Sequence, residues 1–215
     1  MTEEPRISKN VGAIILKVAW LSILLGLGME ILILIASASF GKIPAFKVIA
    51  ADLVQKVSWS SIVCMGVAIG AAVSRNRGAV MGLAGFISAP VAFDVARVLH
   101  KSATQALALA TPGPSLPSPV TLAMIKAVEY AVFGYFLGII SRRSVGMGTY
   151  VFLGTGIGFI FGGFSLVLAV TQAATPIPLS GLVARAINEL FFPVGCALVL
   201  FTATSIERQR ISEKN

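Results

Sequence analysis

Charged residues are scarce in this chain of 215 residues: only 12% are Asp, Glu, Lys or Arg, whereas 56% are hydrophobic. A soluble domain carries roughly 25% charged residues, so a water-soluble fold of this size could not cover its own surface. The same figures exclude a disordered chain, a coiled coil and a collagen helix. We therefore predict an all-α polytopic membrane protein, organised as a single integral membrane domain over residues 1–215.

Histidine and cysteine are also rare. His100 is the only histidine, which excludes a haem or zinc site built on several histidines. Cys64 and Cys196 lie inside apolar stretches without CxxC spacing, so we interpret them as small buried residues rather than as a metal or redox site. We expect no metal and no cofactor.

Enzymatic motifs are missing as well. The sequence contains no P-loop, no HExxH and no GxSxG motif. The glycine-rich run Gly154–Gly158 falls inside an apolar stretch and lacks a preceding strand, so it is typical of helix packing rather than of phosphate binding. We predict that the protein is not an enzyme, with acid or base catalysis by Glu30 or Asp94 as the alternative.

Six apolar stretches are long enough to cross a bilayer, which takes about 20 residues of helix. They are Ala13–Ala36, Trp59–Val73, Ala79–Leu99, Val120–Ile140, Thr149–Val170 and Leu179–Thr204. The first resembles a signal peptide, but it is longer than a usual apolar region and contains Glu30, so we expect a transmembrane helix. The second is preceded by an amphipathic stretch, Phe46–Val57, which we expect to run into it. Four prolines within 111–119 end any helix that continues from the third span.

The net charge of +8 comes from short basic clusters between the spans, without a basic stripe or interleaved aromatics. This distribution disfavours nucleic-acid binding and follows the positive-inside pattern of membrane loops. One side of the six-span chain carries nine basic residues: Arg6, Lys9, Arg75, Arg77, Arg142, Arg143, Arg208, Arg210 and Lys214. The other side carries three: Lys42, Lys47 and Lys101. We therefore predict that both termini are cytoplasmic, in a plasma, inner or internal membrane that the sequence does not distinguish.

The cytoplasmic corners of the chain recur at similar intervals. Their serines, Ser8, Ser74, Ser141 and Ser205, are spaced by 66, 67 and 64 residues. Each interval contains one outward helix, a loop with proline and one returning helix, which suggests repeats at 8–73, 74–140 and 141–205. Such repeats would form a pseudo-threefold bundle of two-helix units. Alternatively, three helical hairpins of ordinary length produce the same spacing.

Glycines four residues apart mark one face of several spans. The stripes are Gly66 and Gly70, Gly134 and Gly138, and Gly154, Gly158 and Gly162. Small residues at this spacing let helix backbones approach closely. They indicate a bundle, or a bundle within a homo-oligomer or larger complex.

Charged residues inside the spans are costly and by default indicate function. The candidates for a transport or ion site are Glu30, Asp94, Arg97, Lys126, Glu129, Arg185 and Glu189. At about 1.5 Å per residue, Glu30 lies roughly 27 Å and Glu129 roughly 18 Å from the cytoplasmic corners. Most of this charge therefore lies in the half that faces away from the cytoplasm.

Two interpretations of these charges compete. In the first they line a polar vestibule, with Glu30 and Asp94 at matching places in successive repeats. In the second they neutralise each other along single helices, in pairs three or four residues apart: Asp52/Lys56, Asp94/Arg97, Lys126/Glu129 and Arg185/Glu189. Glu30 has no basic residue within one helical turn, so it must reach water, stay protonated, or find a partner such as Arg97 or Lys126 on another helix.

Two functions fit these features. The first is passage of a small solute or ion through the bundle, with the acidic residues as cation or proton sites. The alternative is a non-catalytic subunit or assembly factor of a larger membrane complex, which the short loops and the glycine faces favour. In both cases we expect the protein to be embedded in the lipid bilayer. We do not expect nucleic acid as a partner.

Overall fold

A computed structural model describes residues 4–73, 76–109, 118–143, 145–173 and 175–212. Throughout these ranges the regular structure is helical and contains no strand. The elements are α1 (Glu4–Ser39), α2 (Phe46–Val73), α3 (Arg77–Ala106), α4 (Pro119–Ile140), α5 (Met147–Ile157), a π-helical segment (Gly158–Gly162), α6 (Gly163–Thr171) and α7 (Leu179–Ser212). The π-helical segment joins α5 and α6 into one fifth span, Met147–Thr171, and α7 is the sixth.

The six predicted spans are confirmed, because six helices of the described chain are long and apolar enough to cross a membrane. The amphipathic stretch Phe46–Val57 and the second apolar run form one helix, α2, as expected. The helix of the third span continues beyond its apolar stretch, as expected, and α3 ends at Ala106. The proline-rich segment lies mostly at 110–117, outside the described residues.

The start of α4 follows directly from its sequence. Pro119 occupies the first turn, where its missing N–H costs no hydrogen bond. The Ser118 hydroxyl accepts a hydrogen bond from the Thr121 backbone N–H at 3.2 Å and so caps the helix. This cap fixes where α4 begins, and therefore the height at which its charged residues enter the bundle.

The spans pack in chain order and close into a ring. Each span contacts the next, α7 returns to contact α1, and α7 also contacts α2. The helices alternate in direction, so α2, α4 and α7 begin at one end of this bundle. The helices α3 and α5 begin at the other end.

The glycine stripes pack inside the chain. A Cβ at Gly70 would lie 2.9 Å from the Met81 Cα of α3, and one at Gly154 would lie 2.6 Å from the Val194 Cα of α7. Gly138 in turn faces the backbone of α3 at Arg77. These glycines therefore let neighbouring spans of one molecule approach closely.

Two irregular helical segments face each other between the fifth and sixth spans. Pro193 lies inside α7 and has no N–H to donate to the Glu189 carbonyl one turn earlier. Gly162, at the end of the π-helical segment, packs on that carbonyl, since a Cβ there would lie 2.8 Å from it. π-helical turns are rare and occur frequently at functional sites. This one lies beside a residue of the candidate site.

Candidate functional site

A cavity of about 530 Å³ opens among the spans, near the end of the bundle at which α2, α4 and α7 begin. Every span contributes to its wall. Representative lining residues, in chain order, are Ile33, Lys56, Phe93, Lys126, Ser165 and Glu189. At 1.5 Å per residue, Lys126 and Glu189 lie about 10 and 15 Å from the starts of their helices. The cavity therefore reaches well into the bundle.

Lys126 is the centre of a three-residue charge cluster. Its Nζ lies 2.7 Å from Glu129 Oε2 and 2.5 Å from Glu189 Oε2. Lys126 and Glu129 share a face of α4 because they are three residues apart, and α7 supplies Glu189 from across the cavity. The Glu129 side chain is 1% exposed. Two carboxylates thus share one ammonium group, so the ionised cluster carries one negative charge in excess.

Glu30 forms an ion pair with Lys56 of α2. The Glu30 Oε2 lies 2.6 Å from Lys56 Nζ, and both side chains are largely buried. Of the three alternatives for Glu30, the structure shows a partner on another helix, but the suggested partners, Arg97 and Lys126, were wrong. The rotation of α1 against α2 brings Lys56 to Glu30 instead.

Asp52 lies at the more exposed rim of the cavity. Its Oδ1 is 3.0 Å from His100 Nε2 on α3, and about a third of its side chain is exposed. The predicted Asp52/Lys56 pair along α2 is therefore wrong, because each residue has its partner on a different helix. These contacts join α2 to both of its neighbours.

Aromatic side chains from four helices lie beside the charges. Trp59 makes edge-to-face contacts with Phe93, Tyr130 and Phe192 at centroid distances of 6.5, 5.9 and 6.1 Å. All four rings line the cavity. Sequence reasoning missed this cluster, although a usable signal exists: Lys56, Lys126 and Glu189 are each followed three or four residues later by one of these rings.

Besides Glu30 Oε2, which lies 2.6 Å from Lys56 Nζ in the ion pair described above, two buried polar atoms have no hydrogen-bond partner among the described residues. They are Glu129 Oε1 and Ser165 Oγ. Ser165 lines the cavity from α6. Leaving such an atom unpaired costs about 1 to 3 kcal/mol, so both atoms favour a polar or cationic occupant.

The remaining candidates lie elsewhere. Asp94 and Arg97 are exposed on α3 and do not line the cavity, so the matching of Glu30 with Asp94 in a vestibule is wrong. Arg185 lines the cavity but forms no ion pair with Glu189 or another described residue. Of the four pairs predicted along single helices, the described residues therefore form only Lys126/Glu129.

Comparison of the chain with protein-family models, with curated proteins and with solved structures finds no match. In the described part of the chain, no group of three or more His, Cys, Asp or Glu side chains could hold a metal ion. The wall of the cavity thus presents Lys126 and Glu189 beside an aromatic cluster.

Proposed function

We propose that this six-span protein passes a small solute or ion across the membrane through the cavity, with Glu129 and Glu189 as its cation or proton site. One observation carries the proposal: Glu129 and Glu189, from different helices, share Lys126. Lys126 and Glu189 line a cavity to which all six spans contribute, and Glu129 is buried behind Lys126. Buried charge of this kind is expensive in a membrane and is typical of substrate and ion pathways.

Lys126 acts as the resident counter-ion in this proposal. Its flexible side chain can leave Glu189 while keeping its contact with Glu129 on the same helix. A proton or a small cation then occupies Glu189, and the cluster becomes electrically neutral. Departure of that ion lets Lys126 return, so occupancy of the site is linked to a movement of one side chain between α4 and α7.

The other charged residues have supporting roles. The Glu30–Lys56 pair is neutral as a whole and holds α1 against α2 beside the cavity. Arg185 places a positive charge on the cavity wall. Asp94 and Arg97 lie outside the proposed pathway.

We further propose the finer topology that the sequence suggests. Nine basic residues against three support cytoplasmic termini, so the cavity faces the other side of the membrane. Each helical hairpin supplies one largely buried glutamate paired with a lysine, namely Glu30, Glu129 and Glu189. The regular spacing of Ser8, Ser74, Ser141 and Ser205 supports the threefold repeat over 8–73, 74–140 and 141–205.

The alternative, a subunit or assembly factor of a larger complex, loses one of its supports. The glycine stripes that suggested docking pack against spans of the same molecule. A stoichiometric partner in a native-detergent purification would nevertheless favour it.

Flux assays test the proposal. Purified protein in proteoliposomes is assayed for uptake of protons, sodium, potassium and small organic cations. We expect Glu189→Gln to lower flux at least about tenfold, because glutamine keeps the size of the side chain but cannot hold a cation against Lys126. Asp94→Asn is the matched control, since Asp94 is exposed outside the cavity, and should retain flux. Equal flux in both variants, at unchanged thermal stability, would contradict the proposed site.

A further inference from the structure

The two cysteines of the chain meet in the core of the bundle. Cys64 of α2 and Cys196 of α7 are 132 residues apart in sequence, yet their Sγ atoms lie 2.9 Å from each other. Both side chains are fully buried. Because the cysteines are far apart in the chain and lack CxxC spacing, the sequence does not predict this contact.

The pair lies directly below the aromatic wall of the cavity. Cys64 follows Trp59 by five residues and Cys196 follows Phe192 by four. Since α2 and α7 run in the same direction, both cysteines lie about 6 to 8 Å farther from the mouth than these rings. The thiols therefore join the two helices between the cavity and the opposite end of the bundle.

The thiols lie in a mostly apolar cluster, although the polar side chains of Tyr130 and Glu129 lie close to Cys196. Val63, Val67, Phe133 and Ala197 belong to the same buried cluster. Two sulfur atoms at 2.9 Å need to approach by about 0.9 Å to reach the bond length of a disulfide.

We propose that Cys64 and Cys196 form a reversible disulfide that fixes α2 against α7 and holds the inner side of the cavity closed. An aromatic disulfide dissolved in the bilayer is a suitable oxidant. One cysteine thiolate attacks the oxidant, forms a mixed disulfide and expels the first aromatic thiolate. The second cysteine thiolate attacks the sulfur of the first cysteine and expels the second aromatic thiolate. The two cysteines lose two electrons and two protons, and the oxidant becomes two thiols.

The disulfide is detected by counting free thiols. The full-length protein in mild detergent is oxidised with 4,4′-dithiodipyridine, denatured, and labelled with maleimide polyethylene glycol. Since the chain has two cysteines, reduced protein carries two polymer chains. Oxidised protein should carry none, run as a monomer on a non-reducing gel, and recover both labels after dithiothreitol. Its intact mass should show the loss of two hydrogen atoms and no bound pyridine thiol, which distinguishes the disulfide from two mixed disulfides with the oxidant. Two labels after prolonged oxidation, or a disulfide-linked dimer, would overturn the proposal.

Single-cysteine variants provide the controls. Cys64→Ala and Cys196→Ala should each carry one label after reduction with dithiothreitol, whether or not the oxidant was added first. Oxidation should raise the thermal midpoint of the wild-type protein by about 5 °C, because the bond joins residues far apart in the chain, and should leave both variants unchanged. A complete disulfide without this shift would show that the bond does not fix α2 against α7.

The closure of the cavity rests on the proposed transport function and has its own measurement. Oxidation should lower flux at least about tenfold in the wild-type protein and not in Cys64→Ala. Unchanged flux in a fully oxidised protein would overturn the closure and leave the proposed function standing. Absence of flux in the reduced protein would instead contradict the proposed function, while the gel and thermal results still decide whether the disulfide forms.

Discussion

Lys56 and Glu30 illustrate how single residues tolerate burial inside the bundle. Removing both charges from water costs several kcal/mol each, and their attraction at 2.6 Å offsets that cost only while both are present. Replacing one residue of the pair should therefore lower the free energy of unfolding strongly, whereas replacing both together should change it little. Glu30 has one basic partner in the described residues, so its role can be tested by removing one charge and then both.

Glu30→Gln should destabilise the protein by about 3 kcal/mol, because it leaves the Lys56 ammonium buried without a counter-ion. The double variant Glu30→Gln/Lys56→Gln should recover most of this loss, since no net charge remains. Thermal unfolding in detergent measures the stability of the single and of the double variant. A single variant as stable as the wild-type protein would show that Lys56 reaches water and that the pair is not structural.

At the scale of helices, the contact between the fifth and sixth spans depends on glycine. The π-helical segment turns Gly158 and Gly162 towards α7, where a Cβ at Gly158 would overlap the Leu190 carbonyl. Gly156, two residues earlier, has no atom within 4 Å of its Cβ position and is exposed. Gly158 and Gly156 thus belong to the same span, but Gly158 packs against α7 whereas Gly156 has no neighbour at its Cβ position.

Gly158→Ala should therefore cost about 1 to 3 kcal/mol of stability, because α5 and α7 must move apart to admit the methyl group. Gly156→Ala should cost nothing, since alanine favours the helix and meets no neighbour. Thermal midpoints of the two variants, compared in the same detergent, check this prediction. Equal losses would show that the packing of the fifth span on α7 differs from the structure.

Elements and contacts differ in how far the sequence determines them. The spans were predictable because the length of an apolar run needs no tertiary information. Lys126/Glu129 was predictable because three residues separate its members along one helix. The contacts of Glu189 with Lys126 and of Cys64 with Cys196 were not, because they span 63 and 132 residues. Such contacts depend on the rotation of each helix about its axis, which close packing at glycine determines.

At the scale of the whole molecule, the cavity lies towards one end of the bundle, so the orientation of the chain decides which compartment it faces. Arg143 and Lys42 mark the two ends, and both are exposed. Neither lines the cavity. They are therefore suitable positions for a labelling experiment.

Cysteines introduced as Arg143→Cys and Lys42→Cys, each in a Cys64→Ala/Cys196→Ala background, should label from opposite sides of intact membranes. We expect Arg143→Cys to be cytoplasmic, because the basic clusters favour that side. An impermeant maleimide applied before and after permeabilisation measures the difference. Labelling of both positions from one side would rule out the six-span topology.

The order of the ion pairs along the chain has a consequence for synthesis. Lys56 follows Glu30 within the first hairpin, Lys126 and Glu129 arrive on one helix, and Glu189 enters last, with Lys126 already in place. During synthesis, each lysine of these pairs therefore has an acidic partner in its own hairpin, and neither depends on an acid encoded in a later hairpin. The cost of placing each charge in lipid is offset hairpin by hairpin as the chain emerges. The most costly intermediate, a bilayer-embedded lysine without its acid, does not arise.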